Sequence, residues 1–338
     1  MTTTPVLRSR RDPVYLVVNE RAGRGRGARA ASQAQESLEH RGVRVERLVT
    51  RGPGDASVLA RRARDEGAAV VAAVGGDGTL HEVLNGLKGD APGSPASEGP
   101  LLGAIPVGSG NDYVKMLSVS RTDPRLAALA LLDGPAREVD VGVLEGAAPR
   151  EKSGGEEKPG GPTNMGAELF LNNLGLAFAG AANARIESTR GLPGWLAYLV
   201  GAGIEFAFYE AKLTEVELDG RVVSKGLPTV IHVNLGRYCG GGVIFTPDAS
   251  LDDGLFDVFI MGELTRIECL LRWKSVTEGG GRTMKDVAIL RGKEVKVRGP
   301  AGELLHADGE VRRFVGGEVC ARVLPRAVRV IFAPQSGP

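Results

Sequence analysis

VVAAVGGDGTLHEVLNGL, residues 70–87, decides the fold. The seven residues 68–74 are an unbroken apolar run. Such a run suits a strand buried on both faces, as in a parallel sheet. Gly75-Gly76-Asp77-Gly78-Thr79 then breaks the pattern, and Leu80, Val83, Leu84 and Leu87 follow at helical spacing. Thr79 is the expected N-cap. The stretch is therefore strand, glycine turn and helix, with one carboxylate in the turn. Glycines let backbone approach an anion closely, and a helix N-terminus offers free N–H groups and a positive dipole end. That reads as a phosphate site. Asp77 would repel phosphate, so it needs a Mg²⁺ ion or a proton to handle. No Lys follows the glycines, which excludes a Walker A loop. The plainer alternative is a structural turn whose Asp caps the helix.

The preceding chain has the same rhythm. Strand 14–18 runs into a second glycine-rich turn, residues 19–27, carrying Arg21, Arg24 and Arg26. A helix to about Arg41 ends at Gly42, strand 43–49 follows, and Asp55 is the expected cap of the next helix, ending near Gly67. Strand 101–106 delivers a third polar turn, Gly108-Ser109-Gly110-Asn111-Asp112, and a helix over about 123–132 leads to strand 137–144. This alternation predicts a parallel, doubly wound sheet with ligands at the C-terminal strand ends. The turns can thus converge on one nucleotide.

Beyond Arg137 the pattern changes. Residues 145–166 are a low-complexity insert, expected to be disordered. After 168–174 come helices over about 179–189 and 194–209. Short strands at 212–218, 228–235, 255–261, 294–298 and 318–324, with a helix near 264–277, predict an antiparallel sandwich or meander. The expected organisation is a basic tail (1–12), a nucleotide-binding α/β domain (13–136), a β-sandwich acceptor domain (137–325) and a C-terminal strand (326–338) returning to the first domain.

Composition narrows the function. A net charge of +1 gives no argument for nucleic acid. Three scattered cysteines and four histidines suggest neither a disulfide frame nor a zinc site. The N-terminus lacks the apolar core of a signal peptide. The most apolar later segment, 191–208, contains Pro193 and Glu205 and is barely long enough to span a bilayer. It reads as a buried or lipid-facing helix, and the expected location is cytoplasmic.

Five motifs, in order, carry a resemblance: VNERAGRGRG (18–27), GGDGTLHEVLNGL (75–87), PVGSGND (106–112), DASLDDGLFDV (248–258) and HADGE (306–310). Together they resemble the diacylglycerol kinase catalytic-domain family, in its bacterial soluble lipid kinase branch. Sphingosine and ceramide kinases are cousins, and NAD kinase and phosphofructokinase are more distant. The resemblance implies an active site between an α/β domain and a β-sandwich. It implies ATP bound by Asn19, Ala22, Gly23, Thr50, Gly75, Gly76, Asp77, Gly78, Thr79, Leu80, His81, Glu82 and Ser109. It implies a structural Mg²⁺ in the second domain, held by Asp253 and carbonyls near Ser250 and Leu255. Glu310 matches the proton acceptor, Asp77 is the competing base, and Asp77 or Asp112 can orient the nucleotide's metal. Asp140 either joins the metal network or serves a strand end. The implied acceptor is diacylglycerol or a similar lipid alcohol, reached by peripheral contact with the inner membrane surface; a homodimer is left open. A soluble-metabolite kinase of the NAD kinase type and a regulatory nucleotide-binding protein are the alternatives.

Four positions depart from the family pattern. His81 stands for Asn, Ser109 for Thr, Glu20 for Pro, and Ala179 for an aspartate. An aromatic-rich stretch is the expected lining of an acyl-chain cleft or core: Trp195, Leu196, Tyr198 and Leu199, then Ile204, Phe206, Phe208 and Tyr209.

Overall fold

The computed structural model describes residues 13–150, 167–188 and 194–334, with side-chain surroundings given for all of these except 187–188 and 194–199. The basic tail, residues 151–166 of the insert, and the side chains of Trp195, Leu196, Tyr198 and Leu199 lie outside the described residues.

The first half alternates β1 (Val14–Val18), α1 (Ala22–Gly25), α2 (Gly27–His40), β2 (Val45–Val49), α3 (Asp55–Asp65), β3 (Val70–Gly75), α4 (Asp77–Lys88), β4 (Leu101–Pro106), α5 (Asp112–Leu117) and α6 (Pro124–Asp133). β1, β3 and β4 are buried along their whole length, as their apolar runs require. They pair in parallel with β2 in the order β4-β3-β1-β2. Helices pack on with small residues: Ala56, Ala60 and Ala63 of α3 are buried, and Gly86 of α4 lies so close that a Cβ there would sit 2.1 Å from the Ser57 carbonyl oxygen.

The second half begins with β5 (Ala136–Glu145), β6 (Ala147–Pro149), β7 (Glu168–Phe170), β8 (Asn173–Ala177), α7 (Phe178–Ser188) and α8 (Gly194–Phe208). It continues through β9 (Thr214–Leu218), β10 (Arg221–Gly226), β11 (Val230–Asn234), β12 (Tyr238–Cys239), β13 (Val243–Ile244), β14 (Phe256–Met261) and α9 (Arg266–Thr277). β15 (Val287–Gly292), β16 (Glu294–Arg298), β17 (Leu304–Ala307), β18 (Glu310–Phe314) and β19 (Glu318–Ile331) complete it. A seven-stranded sheet ordered β15-β14-β11-β8-β17-β18-β6 faces β9, β16, β19 and β5 across a second core that includes Phe170, Phe256 and Phe314. The fold is thus α/β plus an antiparallel sandwich.

β19 joins the halves. Its length runs antiparallel to β5, and near its end Val330 pairs in parallel with Leu102 of β4. The nucleotide-side sheet and one sandwich layer are therefore one ten-stranded sheet. The register of β19 on β5 shifts between Leu324 and Val328. There the Arg326 N–H donates to Asp140 Oδ1 (2.8 Å), and the Gly254 N–H donates to Asp140 Oδ2 (2.6 Å). Asp140 brackets the β19 bend to the 251–255 loop.

Several local expectations are corrected. Gly76, not Thr79, is the N-cap of α4; Thr79 is buried in its first turn. Gly54 precedes α3, and the Asp55 carboxylate instead accepts the Arg51 N–H (2.7 Å). The start of the insert is ordered, because β5 reaches Glu145 and β6 pairs with β18. The expected strand at 168–174 is two strands, β7 and β8, broken at Leu171-Asn172. Among the described residues no helix is long and apolar enough to cross a membrane.

Candidate active site

The three polar turns meet at the C-terminal ends of β1, β3 and β4. Val107 and Gly108 N–H groups donate to the Gly75 carbonyl (2.8 and 3.3 Å), and Gly76 and Gly108 touch backbone to backbone. A Cβ on Gly108 would lie 2.6 Å from the Gly76 Cα, so this contact requires glycine. Asn19 Nδ2 donates to Thr79 Oγ1 (3.4 Å), tying the first turn to the second. Arg26 Nε donates to the Gly23 carbonyl (2.8 Å), holding the first turn closed. Asn111 holds the third turn, donating from Nδ2 to the Gly108 carbonyl (2.8 Å). Ser109 is exposed at its tip, and Thr50 is half-buried just past β2. The N–H groups of α4's first turn face this junction with the helix dipole behind them, which suits a phosphate chain.

Asp77 lies between the starts of α4 and α5. The Tyr113 N–H donates to its Oδ1 (3.4 Å). Although the residue is partly exposed, its carboxyl is enclosed; burial and the nearby Asp112 charge push it up to about 6. Asp112 is held by the Lys115 ammonium (2.5 Å) and accepts the Gly241 N–H (2.7 Å) from the second domain. Across the seam stands Glu310, at the start of β18. A Cβ on Gly78 would lie 2.5 Å from Glu310 Oε1. The turn that opened the sequence reading and the carboxylate 232 positions downstream are thus neighbours. The Asp308-Gly309 turn presents Glu310, with both residues at positive φ (49° and 91°).

Two residues expected at the nucleotide have side chains engaged elsewhere. Glu82 accepts the Gly54 and Ala56 N–H groups (2.9 and 3.1 Å), capping α3 from a neighbouring helix. His81 is buried with both ring nitrogens on second-domain carboxylates: Nδ1 on Asp308 (3.1 Å) and Nε2 on Glu168 (2.8 Å). Arg312 pairs with both oxygens of Glu168, its Nε donating to Oε2 (2.7 Å). Asp308 also accepts the N–H groups of Leu171, Asn172 and Asn173 (2.8, 2.8 and 3.1 Å). An alternating chain of charges therefore fastens α4 to the turn carrying Glu310. Leu80 belongs to the apolar core.

Burial alone would lower the His81 pKa, but bonds to Asp308 and Glu168 outweigh it and raise it to about 10. A raised folded value gives stability that is full below the unfolded value near 6.5 and is lost as pH rises through about 10. The wild-type melting temperature should therefore fall between about pH 7 and 9.5, and the fall should be much smaller in His81→Asn. At pH 7, removing the cation from its buried carboxylates should cost about 3 kcal/mol, read by denaturant titration.

The second-domain metal site does not fit its residues as they stand. Asp253 Oδ1 accepts the Leu255 N–H (3.1 Å), and Oδ2 pairs with Arg291. Arg291 also reaches Asp257, its cross-strand partner (3.4 Å). Ser250 Oγ donates to Asp252 (2.9 Å). Among the described residues, no cluster of three or more His, Cys, Asp or Glu could hold a metal ion.

Beside the seam, α7, α8, α9 and the face of the seven-stranded sheet line a small cavity of about 50 Å³, open on one side. Phe178, Ala179, Val230, Phe245 and Trp273 line it, with His232 and His306. Among the described residues, none that lines it is an acid, Lys or Arg. Burial lowers both imidazoles, to about 3 for His232 and about 4 for His306, so they are neutral. The two rings flank Gly175, since both residues pair with it across the sheet. His232 Nδ1 is buried without a hydrogen-bond partner. His306 Nδ1 accepts the Gly309 N–H (3.2 Å), so one cavity wall braces the Glu310 turn. Gly240, on the opposite wall, adjoins the Gly241 that bonds Asp112.

Sequence reasoning missed Asp308, Glu168, Arg312, Lys115 and His306 as site residues. Asp308 and His306 stood in the HADGE motif and Lys115 lies one helical turn from Asp112; the pairings of Glu168 and Arg312 appear only once distant strands are aligned.

Residues 13–144 match the family model described as diacylglycerol kinase catalytic domain, and residues 175–332 match that of the YegS C-terminal NAD kinase beta sandwich-like domain. A diacylglycerol kinase of Bacillus subtilis is 27% identical, over 90% of this chain and 91% of its own. A Pseudomonas aeruginosa protein named probable lipid kinase YegS-like is 28% identical, over 95% of this chain and 94% of its own. The crystal structure of a diacylglycerol kinase from Bacillus anthracis shares the fold, with a TM-score of 0.68 at 20% identity over 97% of this chain and 99% of its own.

Proposed function

The chain belongs to the lipid kinase family defined by a diacylglycerol kinase catalytic domain followed by a NAD kinase-like β-sandwich, and on that premise we propose how its residues divide the work. The protein moves the γ-phosphate of Mg-ATP to the hydroxyl of a neutral lipid alcohol of the diacylglycerol type. The contact of Glu310 with Gly78 carries this reading, because it sets a carboxylate against the phosphate turn.

Phosphoryl transfer needs positioning and charge neutralisation above all. The backbone of residues 75–79 and the first turn of α4 hold the triphosphate. Asp77 and Asp112 orient the cation that arrives with the nucleotide. Glu310 accepts the proton of the lipid hydroxyl as its oxygen bonds to the γ-phosphorus and the bond to ADP breaks. Asp77 is the weaker candidate for base, since it lies beneath the turn between two helix N-termini.

The apolar part of the acceptor meets the open, apolar side of the cavity. Its unpaired His232 nitrogen can meet a polar group of the lipid, since a buried polar atom gains from a partner. Ala179 adds no charge, and the described lining is uncharged. That favours a neutral alcohol over an ammonium-bearing one and gives no cation for the pyrophosphate of NAD. Mg-ATP labelled at the γ-phosphate, offered with mixed micelles of diacylglycerol, with sphingosine micelles or with NAD, tests this. Label should enter diacylglycerol; label in NAD would overturn the lipid reading.

A further inference from the structure

We infer that His306 registers the acceptor against the base: its Nε2–H donates to an ester carbonyl of the lipid, while its Nδ1 holds the turn that presents Glu310. This assignment depends on the lipid-acceptor reading of the cavity. Nδ1 accepts the Gly309 N–H (3.2 Å), so it carries no proton. Burial holds the ring neutral at pH 7, its pKa lowered to about 4. A neutral imidazole has one N–H, which here is on Nε2. Among the described residues nothing accepts from it. A donor in a buried wall gains from a partner, so the position calls for a ligand oxygen.

The surroundings of this nitrogen are built to hold the ring. His306, Gly175 and His232 stand opposite one another across β17, β8 and β11. A Cβ on Gly175 would lie 2.1 Å from His306 Nε2, so only glycine admits the ring there. His232 stacks on Phe245 (4.5 Å between ring centres) and lies 6.0 Å from the His306 ring. Both imidazoles are buried, and both line the cavity beside the apolar Phe178, Val230 and Trp273. At about 50 Å³ the cavity admits a group of a few atoms, not a whole acyl chain. A diacylglycerol-type alcohol has one hydroxyl, the one to be phosphorylated. Its other polar atoms are ester oxygens, which accept hydrogen bonds and donate none. An uncharged N–H in an apolar wall is the complement of such a carbonyl. The ester adjoins the reacting hydroxyl on the glycerol backbone. His306 likewise adjoins the base, since Ala307 pairs with Glu310 across the β17–β18 turn. Asp308, in the same turn, is held separately by His81 and three backbone N–H groups, so the turn does not depend on His306 alone.

The test compares kcat/KM for a dispersed diacylglycerol with that for its dialkyl ether analogue, which keeps the hydroxyl and lacks the carbonyls. Wild type should favour the diester by about tenfold. His306→Asn keeps an oxygen to accept from Gly309 but removes the N–H that reaches the lipid, so its preference should fall to about onefold. His306→Gln keeps an N–H near the place of Nε2 and gives up the bond to Gly309. It should retain most of the preference while kcat falls on both acceptors. A merely structural histidine would leave the ratio unchanged in His306→Asn, because the ratio is taken within one protein and general damage cancels. That result would overturn the inference, as would equal use of the two acceptors by wild type or loss of the preference in His306→Gln. Phosphorylation of neither acceptor by wild type would overturn the lipid-acceptor reading itself, an outcome distinct from equal use of both.

Discussion

Glu310→Gln is expected to lower kcat by about 10²–10⁴ while leaving Mg-ATP affinity within about twofold. The amide keeps the size of the side chain but cannot take a proton from an alcohol. Glu310 faces Gly78 from β18, and its strand is built from the second domain, so its loss leaves the Asn19, Gly76 and Gly108 turns intact. Binding of Mg-ATP by calorimetry and turnover on diacylglycerol micelles separate the two effects. A variant with undiminished turnover would remove Glu310 as the base and move that role to Asp77. A variant that loses nucleotide binding and turnover together would make Glu310 part of the nucleotide site instead.

Asp77→Asn is expected to trade activity for stability. The Asp77 carboxyl is raised to about 6 by burial and by Asp112. A carboxyl raised on folding destabilises the native state once it ionises. That cost begins above the unfolded value near 3.9 and is complete above about 6. At pH 8 the asparagine should therefore raise the unfolding free energy by about 2–3 kcal/mol, and near pH 4 by little. Activity moves the other way. If the carboxylate orients the nucleotide's cation, kcat/KM for Mg-ATP falls by about 10²-fold in the variant. In wild type it should decline as pH drops below about 6, and that limb should be missing from the variant. A variant that is less stable at pH 8, or one that keeps the acid limb, would contradict this assignment.

The parts of the molecule that were legible in the sequence are those written in contiguous residues. The apolar run before Gly75 and the helical spacing after Thr79 place β3 and α4 to within three residues. The same alternation gives β1, β2 and β4 and their polar ends. The misplaced caps show what local reading lacks: Glu82 caps α3 from 26 positions away, a relation no window of α3 contains. His81 is the sharper case. Its position in GGDGTLHE points to nucleotide, yet its partners Glu168 and Asp308 lie 87 and 227 positions away. A one-sided view of α4 shows the phosphate turn; the opposite side of the same turn is a domain fastener. Asp253 is similar, because Arg291 reaches it only through the β14–β15 register that sets Arg291 opposite Asp257. The return of the C-terminal strand to the first domain was legible, but its being the same strand, β19, as the last of the sandwich was not, since it changes partners along its length.

The seam between Gly78 and Glu310 is the centre of the account, and a crystal structure with Mg²⁺ and a non-hydrolysable ATP analogue tests it most directly. The terminal phosphate should rest on the backbone of residues 75–79 with the Glu310 carboxylate on its open side, and the nucleoside should extend toward Thr50. A nucleotide seated in the apolar cavity of the second domain, or a terminal phosphate turned away from Glu310, would contradict it.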